Sequence, residues 1–276
     1  MDLSRFVPFV DGLDHPECVT CGPDGTVYAG GEAGQIYKVG LDGDVDLVGT
    51  TGGFILGIAL DADANVYACD SGNRAIMRIA PDGSVDRYFD GAAGKSLVNP
   101  NYGVFDRQGR FYFSDSGQFH ADDGCLWVVN PGGEGELLRD DVTAFPNGVA
   151  LDAQERFLYV VLSTAPAIVR VPLAGGPVET VVTLERRVPD GIAFDEEGNL
   201  YISCYAPDEI LRLDPGGTLE VLASDWERVV LAAPTNIAFC GPERDVLVVA
   251  SLGRWHLTKA MMPVRGQRYN YPTFAP

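Results

Sequence analysis

The sequence predicts an all-β protein, a six-bladed propeller with four strands in each blade. Three observations predict it: a strand–turn–strand unit that recurs six times, a nearly regular spacing of those units, and glycine turns too frequent for long helices. The units begin at Glu17, Leu56, Asn101, Asn147, Asp190 and Asn236. Their second strands share an anchor at Tyr28, Tyr67, Tyr112, Tyr159, Tyr201 and Val248, and successive anchors stand 39, 45, 47, 42 and 47 residues apart. A four-stranded blade takes roughly 40–50 residues.

The remaining elements follow in order. Third strands are predicted at residues 35–39, 75–79, 125–129, 167–171 and 209–213. Turns follow them at Asp42-Gly43, Asp82-Gly83, Gly132-Gly133, Gly175-Gly176 and Gly216-Gly217. Fourth strands then start at Val45, Val85, Leu137, Val178 and Leu219. The sixth unit runs out of chain before its fourth strand, whereas the N-terminus has a spare one, Arg5–Val10. That strand is expected to complete the last blade and close the ring, which removes an open sheet edge. Residues 1–276 are expected to form this single domain.

Composition limits the function. The 276 residues are 46% hydrophobic and 21% charged, a globular balance. The net charge of −19 repels nucleic acid and anionic lipid, so neither is an expected partner. The start, Met1-Asp2-Leu3-Ser4-Arg5, lacks a basic segment followed by an apolar run, and no apolar stretch approaches the ~20 residues of a membrane helix. A soluble cytoplasmic protein is expected. In that setting the six cysteines read as free thiols. Cys18-Val19-Thr20-Cys21 has no second pair to complete a zinc site and reads as a buried strand. No Gly-x-Ser-x-Gly nucleophile motif occurs, nor any phosphate or dinucleotide glycine fingerprint.

The first strands carry the chemistry. Aligned in register, they are apolar or small inside, as a strand packed on both faces must be. Their first positions differ: Glu17, Leu56, Asn101, Asn147, Asp190 and Asn236. In a propeller the starts of the inner strands converge on the axis, so five oxygen-bearing side chains would face one another. Two carboxylates among amides, without a lysine or arginine, call for a cation. All-oxygen ligation suits Ca²⁺ best, with Mg²⁺, Mn²⁺ or Zn²⁺ as other candidates. An alternative stays open: Asn or Asp before Gly can simply shape a turn, as at Asn147-Gly148 and Asp190-Gly191.

The whole chain resembles the senescence-marker-protein/gluconolactonase family, which includes regucalcin and bacterial lactonases and shares its propeller with diisopropyl fluorophosphatase. The segments that carry the resemblance are His15-Pro16-Glu17, Asn99-Pro100-Asn101, Phe145-Pro146-Asn147-Gly148 and Val188-Pro189-Asp190-Gly191. It implies a divalent metal held by Glu17, Asn147 and Asp190 with Asn101, the last a ligand or a substrate contact. It also implies hydrolysis of a lactone or related ester on a small-molecule substrate, with Asp190 as general base. The chain departs from sugar-lactone members at Asn99, where they carry an arginine. The loop Ser116–His120 also lacks their acidic residue. With the apolar rim of Phe54, Ile55 and Leu56, these departures point away from a sugar lactone.

Further candidates line the same rim. His120 lies in the longest loop between second and third strands, and a histidine there suits a general base or a substrate contact. Asn236, Phe54 and Tyr205 are candidate substrate contacts, and Arg254, Trp255 and His15 occupy rim positions. His256 reads as a packing residue. A metal-dependent lyase acting on a cyclic ester and a non-enzymatic, metal-stabilised binding propeller remain alternatives. Oligomeric state is not legible.

Overall fold

The protein is described by a computed structural model covering residues 2–274. Six four-stranded antiparallel sheets form the blades, and a two-residue hairpin, Gly91–Ala92 with Lys95–Ser96, is the one other sheet among the described residues. Each inner strand packs on the next, from Cys18–Cys21 through Ile55–Leu60, Pro100–Phe105, Pro146–Leu151 and Val188–Phe194 to Pro234–Cys240, which packs back on the first. Among the described residues the one helical element is a 3₁₀ turn, Leu3–Arg5, and no helix is long and apolar enough to cross a membrane.

The expected closure is present. Val7–Val10 pairs antiparallel with Leu257–Met261 as the outer strand of the sixth blade, so the two ends of the chain share one sheet. All six cysteines are buried and none is in a disulfide.

The recurring residues of the sequence units acquire physical roles. At the turn after an inner strand, an aspartate binds two backbone amides ahead of it. Asp61 Oδ1 accepts from Asp63 N and Asn65 N at 3.0 and 2.9 Å. Asp106 and Asp195 repeat the pattern. The anchor tyrosines join in two blades: the Tyr67 and Tyr201 hydroxyls donate to Asp61 and Asp195.

These turns mark the end of the axis away from the inner-strand starts. There the C-terminal segment after Met261 runs across the mouth and touches every blade. Gln267 N donates to Phe194 O and its Nε2 to Leu151 O, while Asn270 Nδ2 donates to Phe105 O. The Tyr271 hydroxyl donates to Cys21 O, Ala62 N donates to Pro272 O, and Phe239 N donates to the Tyr269 hydroxyl. Strand-end carbonyls that would otherwise face the channel are thereby satisfied. Above this plug lies a cavity of about 90 Å³ lined by Thr20, Tyr102, Val149 and Ile192, room for a few waters. Tyr102 reaches past the second blade to donate to Val19 O at 3.3 Å, and narrows the axis beneath the inner-strand starts.

Candidate metal centre

The inner strands are not smooth where they begin. Pairing with the second strand skips between Pro100 and Gly103, Pro146 and Val149, Pro189 and Ile192, and Pro234 and Ile237. Each skip is a bulge in which two residues face one partner, and a bulge re-aims side chains. Asn101, Asn147 and Asp190 are the first residues of three of these bulges.

The glycines after Leu56, Asn147 and Asp190 let the neighbouring strand approach. A Cβ on Gly148 would lie 2.6 Å from Asp190 O, and one on Gly191 would lie 2.7 Å from Thr235 O. A Cβ on Gly57 would lie 2.3 Å from Asn101 O. None of these glycines has a left-handed φ. The Asn-Gly and Asp-Gly pairs are therefore packing devices that draw the strands together, not turn formers.

The bulge register corrects one sequence-based expectation. Aligning the inner strands on the turn that follows them, Gly241 with Asp195, puts Asn236 level with Asp190, but the residue level with Asp190 is Thr235. Three observations agree: the bulge position, the contact of Gly191 with Thr235 O, and the hydrogen bond from Ser203 Oγ to Thr235 O, which repeats that from Ser114 Oγ to Asn147 O. The sixth inner strand has one extra pair at its far end, Cys240 with Val246, so a count from the turn lands one residue late. Asn236 instead takes the second bulge position, level with Gly57, Tyr102, Gly148 and Gly191. It is buried against Gly191, and its side-chain oxygen accepts from Ile237 N at 3.1 Å.

Glu17, Asn101, Asn147 and Asp190 are all buried. Hydroxyls just past the ends of the second strands orient the two amides. Ser163 Oγ donates to Pro189 O at 2.7 Å and accepts from Asn147 Nδ2 at 3.2 Å. Ser116 Oγ donates to Pro146 O at 2.7 Å and accepts from Asn101 Nδ2 at 2.9 Å. A hydroxyl has one proton, so each serine can only accept from the asparagine. That fixes the amide with its oxygen turned away from the serine. Thr235 Oγ1 donates to Glu17 O at 2.6 Å and ties the sixth blade to the first beside the carboxylate.

Electrostatics then single out the centre. Burial, followed by the charges of Asp190 and Glu32, pushes the Glu17 carboxyl well above its usual range. Burial raises Asp190 to about 8, against an opposing hydrogen bond from Asn147. Glu17 Oε2 and Asn147 Oδ1 are buried with no hydrogen-bond partner. Among the described residues no lysine or arginine pairs with either carboxylate. Unpaired buried oxygens of this kind are costly. A divalent ion would meet the two orphan oxygens and both negative charges, so the residues present fit one. Glu17, Asn147 and Asp190, with Asn101, would hold it.

The other candidates form the rim. Asp14, His15 and Glu32 gather beside Glu17, with His15 Nδ1 3.3 Å from Asp14 Oδ1 and 3.0 Å from Glu32 Oε2. Asp14 is already engaged by Gln35 Nε2 and Ala33 N. His120 is exposed, its ring 4.0 Å from that of Phe119, and no hydrogen bond joins it to the four buried residues. Phe54 is half-buried over the buried Asp70, and Tyr205 stands partly exposed at the end of Leu200–Ala206. Asn99 accepts a hydrogen bond from Ser71 Oγ at 2.5 Å. His256 packs, as expected, with Nε2 3.1 Å from Val230 O.

Sequence reasoning passed over the orienting serines. A signal was available: Ser71, Ser116 and Ser163 each stand four residues after an anchor tyrosine.

Comparison with known proteins agrees with this architecture. Residues 32–253 match the SMP-30/gluconolactonase/LRE-like region, and residues 7–39 match the strictosidine synthase-like N-terminal region. A gluconolactonase of Zymomonas mobilis is 30% identical over 190 residues, which cover 58% of this chain and 51% of that protein. The chain spans about half the length of the curated relatives it matches. A solved gluconolactonase from Xanthomonas campestris superposes with a TM-score of 0.81 at 21% identity, covering 93% of this chain and 89% of its own. Regucalcin of Agrobacterium tumefaciens, a calcium-binding protein, gives 0.78 at 17% identity, covering 97% and 99%. The match over residues 32–253 takes in the third and fourth strands of the first blade, the next four blades whole and the inner and second strands of the sixth, and the chain belongs to the SMP-30/gluconolactonase/LRE-like family.

Proposed function

We propose that the protein is a divalent-metal-dependent hydrolase that opens a lactone or related ester, with Glu17, Asn101, Asn147 and Asp190 as the metal site. The observation that carries this reading is the buried pair Glu17 and Asp190 with the orphan oxygens Glu17 Oε2 and Asn147 Oδ1. Its family membership supports the reaction class. Ca²⁺ suits the oxygen donors best.

When bound, the ion supplies Lewis acidity and a lower water pKa. Asp190, the buried carboxylate beside Asn147, takes the proton from the attacking water. Ser163 keeps Asn147 oriented beside it. The preferred substrate is a neutral lactone less polar than a sugar lactone. Asn99, where a cationic side chain would grip a polyol, spends its oxygen on Ser71. Asn236, His120, Phe54 and Tyr205 remain the proposed substrate contacts, with Asn236 now placed one residue deeper than the slot.

The test is direct. Purified protein should open simple lactones, lose the activity in EDTA and regain it with Ca²⁺. Asp190→Asn should lower kcat by roughly 10²–10⁴-fold while far-UV circular dichroism is unchanged. Full activity in that variant would overturn the mechanism. Reaction in oxygen-18 water separates hydrolysis, which incorporates the label, from elimination, which does not.

A further inference from the structure

Among the described residues, four aromatic side chains are substantially exposed: Phe119 at 61%, Tyr205 at 39%, Trp226 at 85% and Trp255 at 53%. All four lie in loops or strand ends at the face where the inner strands begin, whereas exposed aliphatics such as Leu47 and Val221 lie on outer strands. Two of the four are propped in matching ways. Trp255 rests on His15, ring centroids 5.5 Å apart, and Phe119 rests edge-on against Phe145 at 5.1 Å. His15 and Phe145 each stand two residues ahead of a proposed metal residue, Glu17 and Asn147. Both take a left-handed backbone, φ 39° and 53°. Ala233, two residues ahead of Thr235, takes it too, at φ 49°, so this backbone belongs to the approach to the inner strand. One pair sits where the sixth blade meets the first, the other where the third meets the fourth. Three blades apart in a ring of six, they stand on opposite sides of the mouth.

We propose that these two aromatic posts, Trp255 on His15 and Phe119 on Phe145, are specificity determinants that bind the apolar substituent of a lactone, such as the alkyl chain of a γ-alkyl lactone. The inference rests on the lactone-hydrolase reading and names its substrate class. Continuity with the buried centre argues for a substrate group as the occupant: each post is built on the two residues that lead into a proposed ligand. The acids Asp14 and Glu32 beside His15 suit a neutral substrate over an anionic one and repel the carboxylate product.

The experiment has two arms. In the first, kcat/KM is measured for γ-lactones of increasing alkyl length. It should rise by up to about fourfold per buried methylene, the factor that transfer of a CH₂ out of water supports. Trp255→Ala and Phe119→Ala should each flatten the series. Phe119→Leu, which keeps apolar area, should retain most of it, and Leu47→Ala on an outer strand should leave it unchanged. The second arm needs no turnover. Trp226→Phe leaves Trp255 as the exposed tryptophan, and a long-chain γ-lactam, which resists opening, should shift its emission to the blue. Calorimetry should show at least tenfold weaker lactam binding in Phe119→Ala. If short and long lactones are opened equally well, the posts are overturned and the hydrolase reading stands. If no lactone is opened but the lactam binds at Trp255, the hydrolase reading falls and the apolar site stands. Absence of lactam binding overturns the posts.

Discussion

Ser163 does two things with one hydroxyl: it donates to the backbone of the next blade and accepts from Asn147. The second bond is what leaves Asn147 Oδ1 unpartnered in a buried place. Ser163→Ala should therefore weaken divalent-metal binding by roughly 10–100-fold, as loss of ligand-orienting groups does, with little change in fold. Calorimetric titration with Ca²⁺ checks this; undiminished affinity would mean that packing alone orients the amide. A second residue-scale prediction concerns Asp225. Burial pushes its carboxyl up, but the backbone amides of Leu231, Val230, Val229 and Glu227 outweigh that and hold it below the usual range. Its folded pKa is depressed, so its stabilisation is present above the unfolded value of about 3.9 and is lost as pH falls through the folded value. Asp225→Asn should remove that part of the acid loss of stability and cost roughly 1–3 kcal/mol near neutral pH, readable in urea unfolding between pH 7 and 3.

At the scale of elements, the inner strand combines three features: a bulge, a first bulge residue aimed at the axis, and often a glycine in second place. The glycine is needed for approach. Gly148→Ala puts a methyl carbon 2.6 Å from Asp190 O, a backbone atom fixed by its own sheet. It should destabilise by roughly 1–3 kcal/mol or more and weaken metal binding by displacing Asp190, measured by thermal melting with and without Ca²⁺. Strand existence and order were legible because apolar runs, Asp-x-x-Gly turns and tyrosine anchors repeat. A polar set at the inner-strand starts was legible because acids and amides at the mouth of an apolar strand have no core role, and the family resemblance picked four of them as ligand candidates. Asn236 was misplaced by one residue because the sixth inner strand is one pair longer, and only strand pairing reveals that. Ser116 and Ser163 were missed because what each bonds, an amide across its own blade and a carbonyl of the next, is set by strand pairing and blade packing.

At the scale of the molecule, closure is made twice. Val7–Val10 joins the ends in one blade, and the segment after Met261 bonds across the far mouth to all six. Removing residues 266–276 exposes several strand-end carbonyls. At about 1 kcal/mol for each lost bond, the melting temperature should fall by roughly 10 °C or more. Scanning calorimetry of the truncated chain decides it. An unchanged melt would make the segment a passive cover. The strand at the N-terminus was expected from the missing fourth strand of the last unit. The segment across the far mouth was not, since it has no repeat and its bonds run to backbone atoms far away in sequence.

The sequence by itself determined the blade count, the ring closure and which buried acids and amides stand at the starts of the inner strands as candidates for a site. These depend on side-chain chemistry repeated at a fixed spacing, which local patterning encodes. Only the tertiary structure decided which residue of the sixth blade is level with Asp190, which serines turn the amides, and which aromatic rings pair at the mouth. Those depend on register between strands and on contacts between blades, and chain order carries no direct record of either.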